Sequence, residues 1–332
     1  MNSVGIPEAH SSASTTQFFR RHSETITIYL FLAAIAVVGA LFAPDFLKPR
    51  NLFNVFLQSV ALGLVAIGQT FVILGGGIDL SVGATISMVA VYASGLMAGN
   101  PALGVAIPVL LLVVCMALAV GLTNSLLVNR LRIAPFIATM AAGSLVQGVV
   151  LMYTKRPKGR ISPWWSYFAN GKVGPVPFAV LFLLLAVVVA QFILTKTVLG
   201  RHVFATGGSE RSARLSGIQT RRVTLFTYLF SSFMAALSAL FLISRMGVGD
   251  PQVGGLDYSL YDLNSIAAVL VGGTALAGGV GSVVGSVAGF LIVSLLNNIF
   301  NLVGVNTFLQ WIIRGLIILV AVAAYSAQRK RA

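Results

Sequence analysis

The sequence predicts an all-α integral membrane protein of about ten transmembrane helices, some broken by glycine, with both termini on the cytoplasmic side. Three observations predict it. Of 332 residues, 57% are hydrophobic and only 9% charged, with a mean hydropathy of +0.94. A soluble domain carries roughly 25% charged residues. The apolar residues also fall into runs near the roughly 20 residues that a bilayer core requires. Two glycine clusters, at 75–77 and 277–281, interrupt those runs.

The first 25 residues are polar, rich in Ser and Thr, and end in Arg20-Arg21-His22. They read as a disordered cytoplasmic tail. Residues 26–43 form the first run. It is longer than the apolar core of a signal peptide and lacks a small-residue cleavage site, so it reads as an uncleaved helix. Runs at 51–74 and 84–98 flank the first glycine cluster, and 99–101 reads as a turn. Further runs follow at 103–128, 133–153, 175–194, 223–243, 262–276, 282–302 and 308–324. The membrane domain is thus 26–325, and 326–332 is a basic cytoplasmic C-terminus. Between the runs lie a basic turn at 129–132, a loop at 154–174 and the longest internal charged segment, 195–222.

Basic residues test the orientation. Thirteen lie inside under this reading: Arg20, Arg21, Arg130, Arg132, Lys196, Arg201, Arg211, Arg214, Arg221, Arg222, Arg329, Lys330 and Arg331. Eight lie outside: Lys48, Arg50, Lys155, Arg156, Lys158, Arg160, Lys172 and Arg245. The excess has the cytoplasmic sign. The loop at 154–174 is the exception, and reads either as a solvated loop or as a site for an acidic partner. Arg314, in the last run, reads either as snorkelling to the interface or as facing the bundle interior.

Composition also excludes function classes. A formal charge of +14 would suggest nucleic acid in a soluble chain. Here the charge sits mainly in connections, where cytoplasmic retention and anionic lipid explain it, and no nucleic-acid partner is expected. Cys115 is the single cysteine, which excludes an intrachain disulfide and a thiolate metal site. His10, His22 and His202 lie in the tail and a basic loop, away from any buried triad. The one Gly-Lys pair, Gly171-Lys172, precedes Val173, so no phosphate-binding P-loop is present. No cofactor and no catalytic residue is expected. Energy for uphill transport would come from an ion gradient or a separate ATPase.

The stretch Gly75-Gly-Gly-Ile-Asp-Leu-Ser-Val-Gly83 organises the chain. Glycine closes one helix, and Asp79 or Ser81 is placed to cap the next. Asp79 is the acidic residue between two spans, and a charge at membrane depth is a functional candidate. It reads either as a helix cap or as a contact for a solute or partner. Gly281, Gly285 and Gly289, with Ala277, recur every four residues and read as a close-packing helix face, within the chain or between subunits. Neutral hydrogen-bonding residues in the spans are Gln58, Gln69, Asn124, Thr139, Gln147, Asn264, Asn297 and Asn298. Each reads as a helix–helix hydrogen bond or as part of a path for a hydroxyl-rich solute.

The segment 207–218, Gly-Gly-Ser-Glu-Arg-Ser-Ala-Arg-Leu-Ser-Gly-Ile, reads as a short amphipathic helix ending at Gly217, a docking surface in the most basic inside loop. With it the chain resembles the permease subunit of bacterial ABC sugar importers of the ribose/xylose type. The likeness covers roughly residues 50–325. It rests on Gly76-Gly-Ile-Asp-Leu-Ser-Val-Gly83, Arg132-Ile-Ala-Pro-Phe-Ile-Ala-Thr139, Ala213-Arg-Leu-Ser-Gly-Ile218, and Ile266 to Thr274 followed by Gly278-Gly-Val-Gly-Ser282. Departures from the family pattern fall at Ser209, Arg211-Ser212-Ala213, Met140-Ala141-Ala142 and Asn264.

The resemblance implies a multi-pass protein of the bacterial inner membrane that imports a small sugar or polyol. It implies a second permease copy, cytoplasmic ABC ATPases and a periplasmic sugar-binding protein as partners. Glu210, Arg211, Arg214, Leu215, Ser216 and Gly217 would couple to the ATPase. Asp79, Gln69, Asn124, Thr139 and Asn264 are the candidates for the substrate pathway. The alternatives are a related permease for branched-chain amino acids or nucleosides, and a cation-coupled secondary transporter, for which Asp79 is the sole membrane carboxylate that qualifies.

Overall fold

The computed structural model describes residues 12–98, 102–255, 260–313, 315, 316 and 319, and only the backbone of 12–24. Residues 1–11 of the expected tail, the turn expected at 99–101, Arg314 and the C-terminal segment 326–332 lie outside the described residues.

The fold is an all-α membrane bundle. Its elements are α1 (Ser12–Phe42), α2 (Pro49–Leu74), α3 (Val82–Met97), α4 (Leu103–Asn129), α5 (Pro135–Tyr153), α6 (Tyr167–Asn170), α7 (Phe178–Lys196), α8 (Val198–Gly208), α9 (Glu210–Leu215), α10 (Thr220–Met246), α11 (Tyr261–Val271) and α12 (Val283–Leu302). Among the described residues, seven helices are long and apolar enough to cross a membrane, and α3 and α11 are shorter apolar helices. Residues 307–313 are helical again where the last run was expected. The backbone is helical from Ser12, where the sequence suggested an irregular tail; the apolar part of α1 is Thr25–Phe42.

The helices form a buried centre and a lipid-facing ring. In the most apolar stretch of α2, 89% of residues are buried, against 28% in α4 and α5 and 22% in α7. The central helices can therefore hold polar side chains that lipid would not tolerate. Helix α10 buries Thr227, Ser231, Ser232, Ser238 and Ser244. Small residues let the centre close: a Cβ on Gly68 of α2 would stand 2.9 Å from Ser231 Cα of α10.

Long-range contacts assign the two ends. At one end Asn51 of α2 meets Asn298 of α12 in a reciprocal amide pair of 2.9 Å bonds. At the other, Asn129 Nδ2 donates to Arg221 O. The loop at 154–174 is more ordered than its hydrophilic composition suggests. It holds a 3-10 turn (Pro163–Ser166), α6, and the start of a hairpin pairing β1 (Lys172–Val173) with β2 (Val176–Pro177). Trp165 Nε1 donates to Leu240 O, and Ser244 Oγ donates to Trp165 O, fixing the loop on the outer end of α10.

Candidate functional site

The first glycine break is held by side chains from four helices. Gly76 takes φ +84°, open to glycine and strained for other residues, and turns the chain out of α2. Asp79 is fully buried. Its Oδ1 accepts from Ser81 N at 2.9 Å and Ser81 Oγ at 2.6 Å, and its Oδ2 accepts from Ser231 Oγ of α10 at 2.8 Å. Asn124 Nδ2 of α4 donates to Ser81 Oγ at 2.8 Å. Thr139 Oγ1 of α5 accepts from Leu80 N at 3.1 Å, and Tyr228 OH of α10 donates to Ile78 O at 3.3 Å. The amide of Gln69, turned so that donor meets acceptor, lies 3.3 Å from both Asp79 N and Asp79 O.

This corrects the expected cap. Ser81 precedes α3 in an αR conformation, and its side chain makes no capping hydrogen bond to that helix. Asp79 instead closes a local turn on Ser81 and reaches across to α10. Non-helical backbone at membrane depth needs partners inside the protein, and this constellation supplies them. Of the five pathway candidates, Asp79, Gln69, Asn124 and Thr139 are brought together here, all fully buried.

Asn264 lies elsewhere. A cavity of about 380 Å³ opens between the outer parts of α2, α10, α11 and α12. Gln58, Arg245, Tyr261, Asn264, Ser294, Asn297 and Asn301 line it, together with Ala61, Leu62, Phe241 and Leu242. Amides and hydroxyls both donate and accept, which suits a solute carrying only hydroxyls. Gln147 is not part of it; its Nε2 donates to Pro251 O.

The second break, 272–282, is built differently. Helix α11 ends at Val271, five residues before the expected end of its run, and α12 starts at Val283. Gly281 therefore sits in the turn, against Thr274, while Gly285 and Gly289 lie on α12. A Cβ on Gly285 would stand 2.1 Å from Gly272 O, and one on Gly289 would stand 1.8 Å from Ala268 O.

The expected single helix over 207–218 is two elements. Gly207 and Gly208 end α8, and Ser209 starts α9 by accepting from Ser212 N at 3.2 Å. Gly217, at φ +82°, lets Ile218 N return to Ala213 O at 3.0 Å and stop the helix. Glu210 pairs with Arg214, and Thr220 Oγ1 donates to Glu210 at 3.2 Å, tying α9 to α10. Leu215 is 83% exposed, an apolar knob on a basic face beside Arg211, Arg214 and Ser216. Between α9 and the first break lies a cavity of about 660 Å³ lined by Gly75–Gly77, Arg132, Glu210, Arg214 and Arg221 among others.

Sequence reasoning passed over Ser231 and Tyr228, the α10 side chains that hold the first break. A signal existed: Thr220, Thr224, Thr227 and Ser231 recur at helical spacing, a hydroxyl face on a membrane helix.

A chain that buries its polar side chains in a bilayer to hold helix breaks and line a cavity is a multi-pass membrane transport protein. Its family can be stated: residues 51–322 match the family described as branched-chain amino acid transport system / permease component, and the chain belongs to it. It is 38% identical to the ribose import permease RbsC of Bacillus subtilis over 89% of this chain and 90% of that protein. It is 31% identical to the D-allose transport system permease AlsC of Escherichia coli, covering 90% of each chain. It is 30% identical to the galactose/methyl galactoside import permease MglC of Haemophilus influenzae, over 89% of this chain and 92% of that one. No solved structure matches the chain. The likeness to ABC sugar permeases read from the motifs agrees with these relatives.

Proposed function

We propose that this chain is the permease subunit of an ATP-driven importer that carries a small neutral sugar or polyol inward across the bacterial inner membrane. The observation that carries the proposal is the outer cavity, where Gln58, Asn264, Asn297 and Asn301 offer neutral amides. The named sugars of the relatives, ribose, D-allose and galactose, share that hydroxyl chemistry. In this reading Asn264 and its neighbours form the outer pathway, and the Asp79 constellation holds the frame beside it.

The description of the matched family supports a second reading, a branched-chain amino acid as solute. A zwitterion needs a partner for each charge when it leaves water. The described lining of the outer cavity carries Arg245 and no carboxylate. The sugar reading is favoured on that chemistry.

Energy would come from separate ABC ATPases docked on α9 through Glu210, Arg211, Arg214, Leu215, Ser216 and Gly217. A periplasmic sugar-binding protein would deliver the solute outside, where Lys155, Arg156, Lys158 and Arg160 suit an acidic partner. A second copy of the chain would complete the pathway.

The test is uptake of a labelled panel of sugars, branched-chain amino acids and nucleosides by cells with and without the chain. Loss of uptake of one sugar, insensitive to collapse of the proton gradient but dependent on ATP, is the expected result. Loss only of an amino acid or nucleoside, or dependence on the proton gradient, overturns the proposal.

A further inference from the structure

Three chain segments meet backbone to backbone at the cytoplasmic end of the bundle. They are the end of α2 with its first glycines, the end of α8 at Gly207 and Gly208, and the turn at Gly278 and Gly279 between α11 and α12. Gly279 N donates to Leu74 O at 3.0 Å, so an acceptor in the last turn of α2 is satisfied from the other break. A Cβ on Gly207 would stand 1.8 Å from Leu74 O and 2.7 Å from Gly279 N. A Cβ on Gly278 would stand 3.0 Å from Gly76 Cα, and one on Gly279 would stand 2.7 Å from Gly208 Cα.

We propose that this glycine joint transmits movement of the docking segment to both membrane breaks, which makes Gly207 a positioning residue for transport. The proposal rests on the reading of the chain as an ATP-coupled permease. The physical argument is mechanical. Side chains between two elements absorb small shifts by changing rotamer, whereas backbones in direct contact have no such slack. Ser209, directly after Gly208, caps α9, so a displacement of α9 acts on the joint through a single residue. From the joint, α2 and the pair α11–α12 run outward and supply three of the four walls of the outer cavity. A movement at the docking surface thus reaches the solute site along elements that turn as units.

The adjacent glycine is the internal control. A Cβ on Gly208 meets nothing within 4 Å. The experiment compares Gly207→Ala with Gly208→Ala in the complete transporter, reconstituted with its ATPase and binding protein in lipid vesicles. The readout is ATP hydrolysed per sugar imported, normalised to monodisperse permease. Gly208→Ala is expected to match the parent protein. Gly207→Ala is expected to raise the ratio about tenfold or more while ATP hydrolysis continues. An unchanged ratio in Gly207→Ala overturns the proposal even if less protein folds, because the contact is then packing alone. Equal uncoupling by both variants overturns it as well, since the Leu74 contact would not be the cause.

A measurement on the unmutated complex covers the case in which Gly207→Ala yields no protein. Hydrogen exchange at the Gly279 amide is expected to stay protected with and without ATP, as in a joint that moves as one piece. Loss of protection on ATP binding overturns the proposal. An unmutated complex that imports no sugar with ATP instead overturns the transport reading on which the proposal rests.

Discussion

The two helix breaks solve one problem by opposite means. At 75–81 the unwound backbone is held by polar side chains: Asp79 and Ser81 locally, Gln69 from α2, and Asn124, Thr139, Ser231 and Tyr228 from neighbouring helices. At 272–282 it is held chiefly by close backbone packing, with one side-chain cap: Ser282 Oγ accepts from Gly285 N at 3.0 Å at the start of α12. Gly272 faces Gly285, Gly289 faces Ala268, and Gly279 faces Gly208. Both routes satisfy the rule that non-helical backbone at membrane depth is enclosed in protein. They differ in what breaks them. The first break depends on donors and acceptors in matched pairs, so it fails when one is removed. The second depends on empty space, so it fails when an atom is added.

The largest expected effect follows from the first kind of failure. Asp79→Ala strands the Ser81 amide and two hydroxyls, each buried and each costing about 1–3 kcal/mol when unpaired. A loss of about 3 kcal/mol or more is expected, read as a large drop in the thermal midpoint of the detergent-solubilised protein and in transport. Asp79→Asn keeps an oxygen for the Ser81 amide and a group that Ser231 can bond. It is expected to retain most of the stability. If Asn is as damaging as Ala, the negative charge itself is required, and the first break is more than a hydrogen-bonded frame.

Gly289→Ala probes the second kind. Its Cβ would stand 1.8 Å from Ala268 O and 2.9 Å from Gly272 N, all backbone, so α11 and α12 must separate. Overpacking of this sort costs about 1–3 kcal/mol, offset in part by the better helix propensity of Ala, worth about 1 kcal/mol. A net fall in the thermal midpoint, smaller than for Asp79→Ala, is expected. An unchanged midpoint would show that the second break yields where the first does not. Thr139→Val then removes one hydroxyl from the first break at nearly constant volume. Leu80 N loses its acceptor, at a cost of about 1–2 kcal/mol by the same melting measurement.

Much of the architecture was legible. The apolar runs, their order and both breaks follow from hydropathy and glycine placement. The partners of the breaks did not follow, because they are long-range. Ser231 reaches Asp79 across 152 positions, and no local spacing links them. Residue type alone also proved ambiguous. Gln69, Asn124 and Thr139 read equally as helix–helix hydrogen bonds or as part of a path for a hydroxyl-rich solute, and in the structure they bond the unwound segment. An amide or hydroxyl serves an exposed peptide group as well as it serves a sugar, so only burial separates the two uses. Asn264 has the same chemistry yet lines the outer cavity, because α11 begins at the outer surface. The four-residue repeat of Ala277, Gly281, Gly285 and Gly289 looked like one helix face. It is half turn and half helix, since the glycines that allow close packing also release the backbone from the helix.

The smallest expected effect separates the two designs most cleanly. Thr274 lies in the second break, 2% exposed, and its Oγ1 has no hydrogen-bond partner among the described residues. If Thr274 serves that break by packing alone, its hydroxyl contributes nothing, and its burial is a cost of about 1 kcal/mol or more. Thr274→Val keeps the branched shape against Gly281 and removes the unpaired group. The thermal midpoint is expected to stay level or rise slightly, the reverse of the loss from the same substitution at Thr139. A fall of similar size at both positions would mean that Thr274 finds a polar partner during folding or transport. The second break would then rely on side-chain bonding as the first does, and the contrast between them would be one of degree.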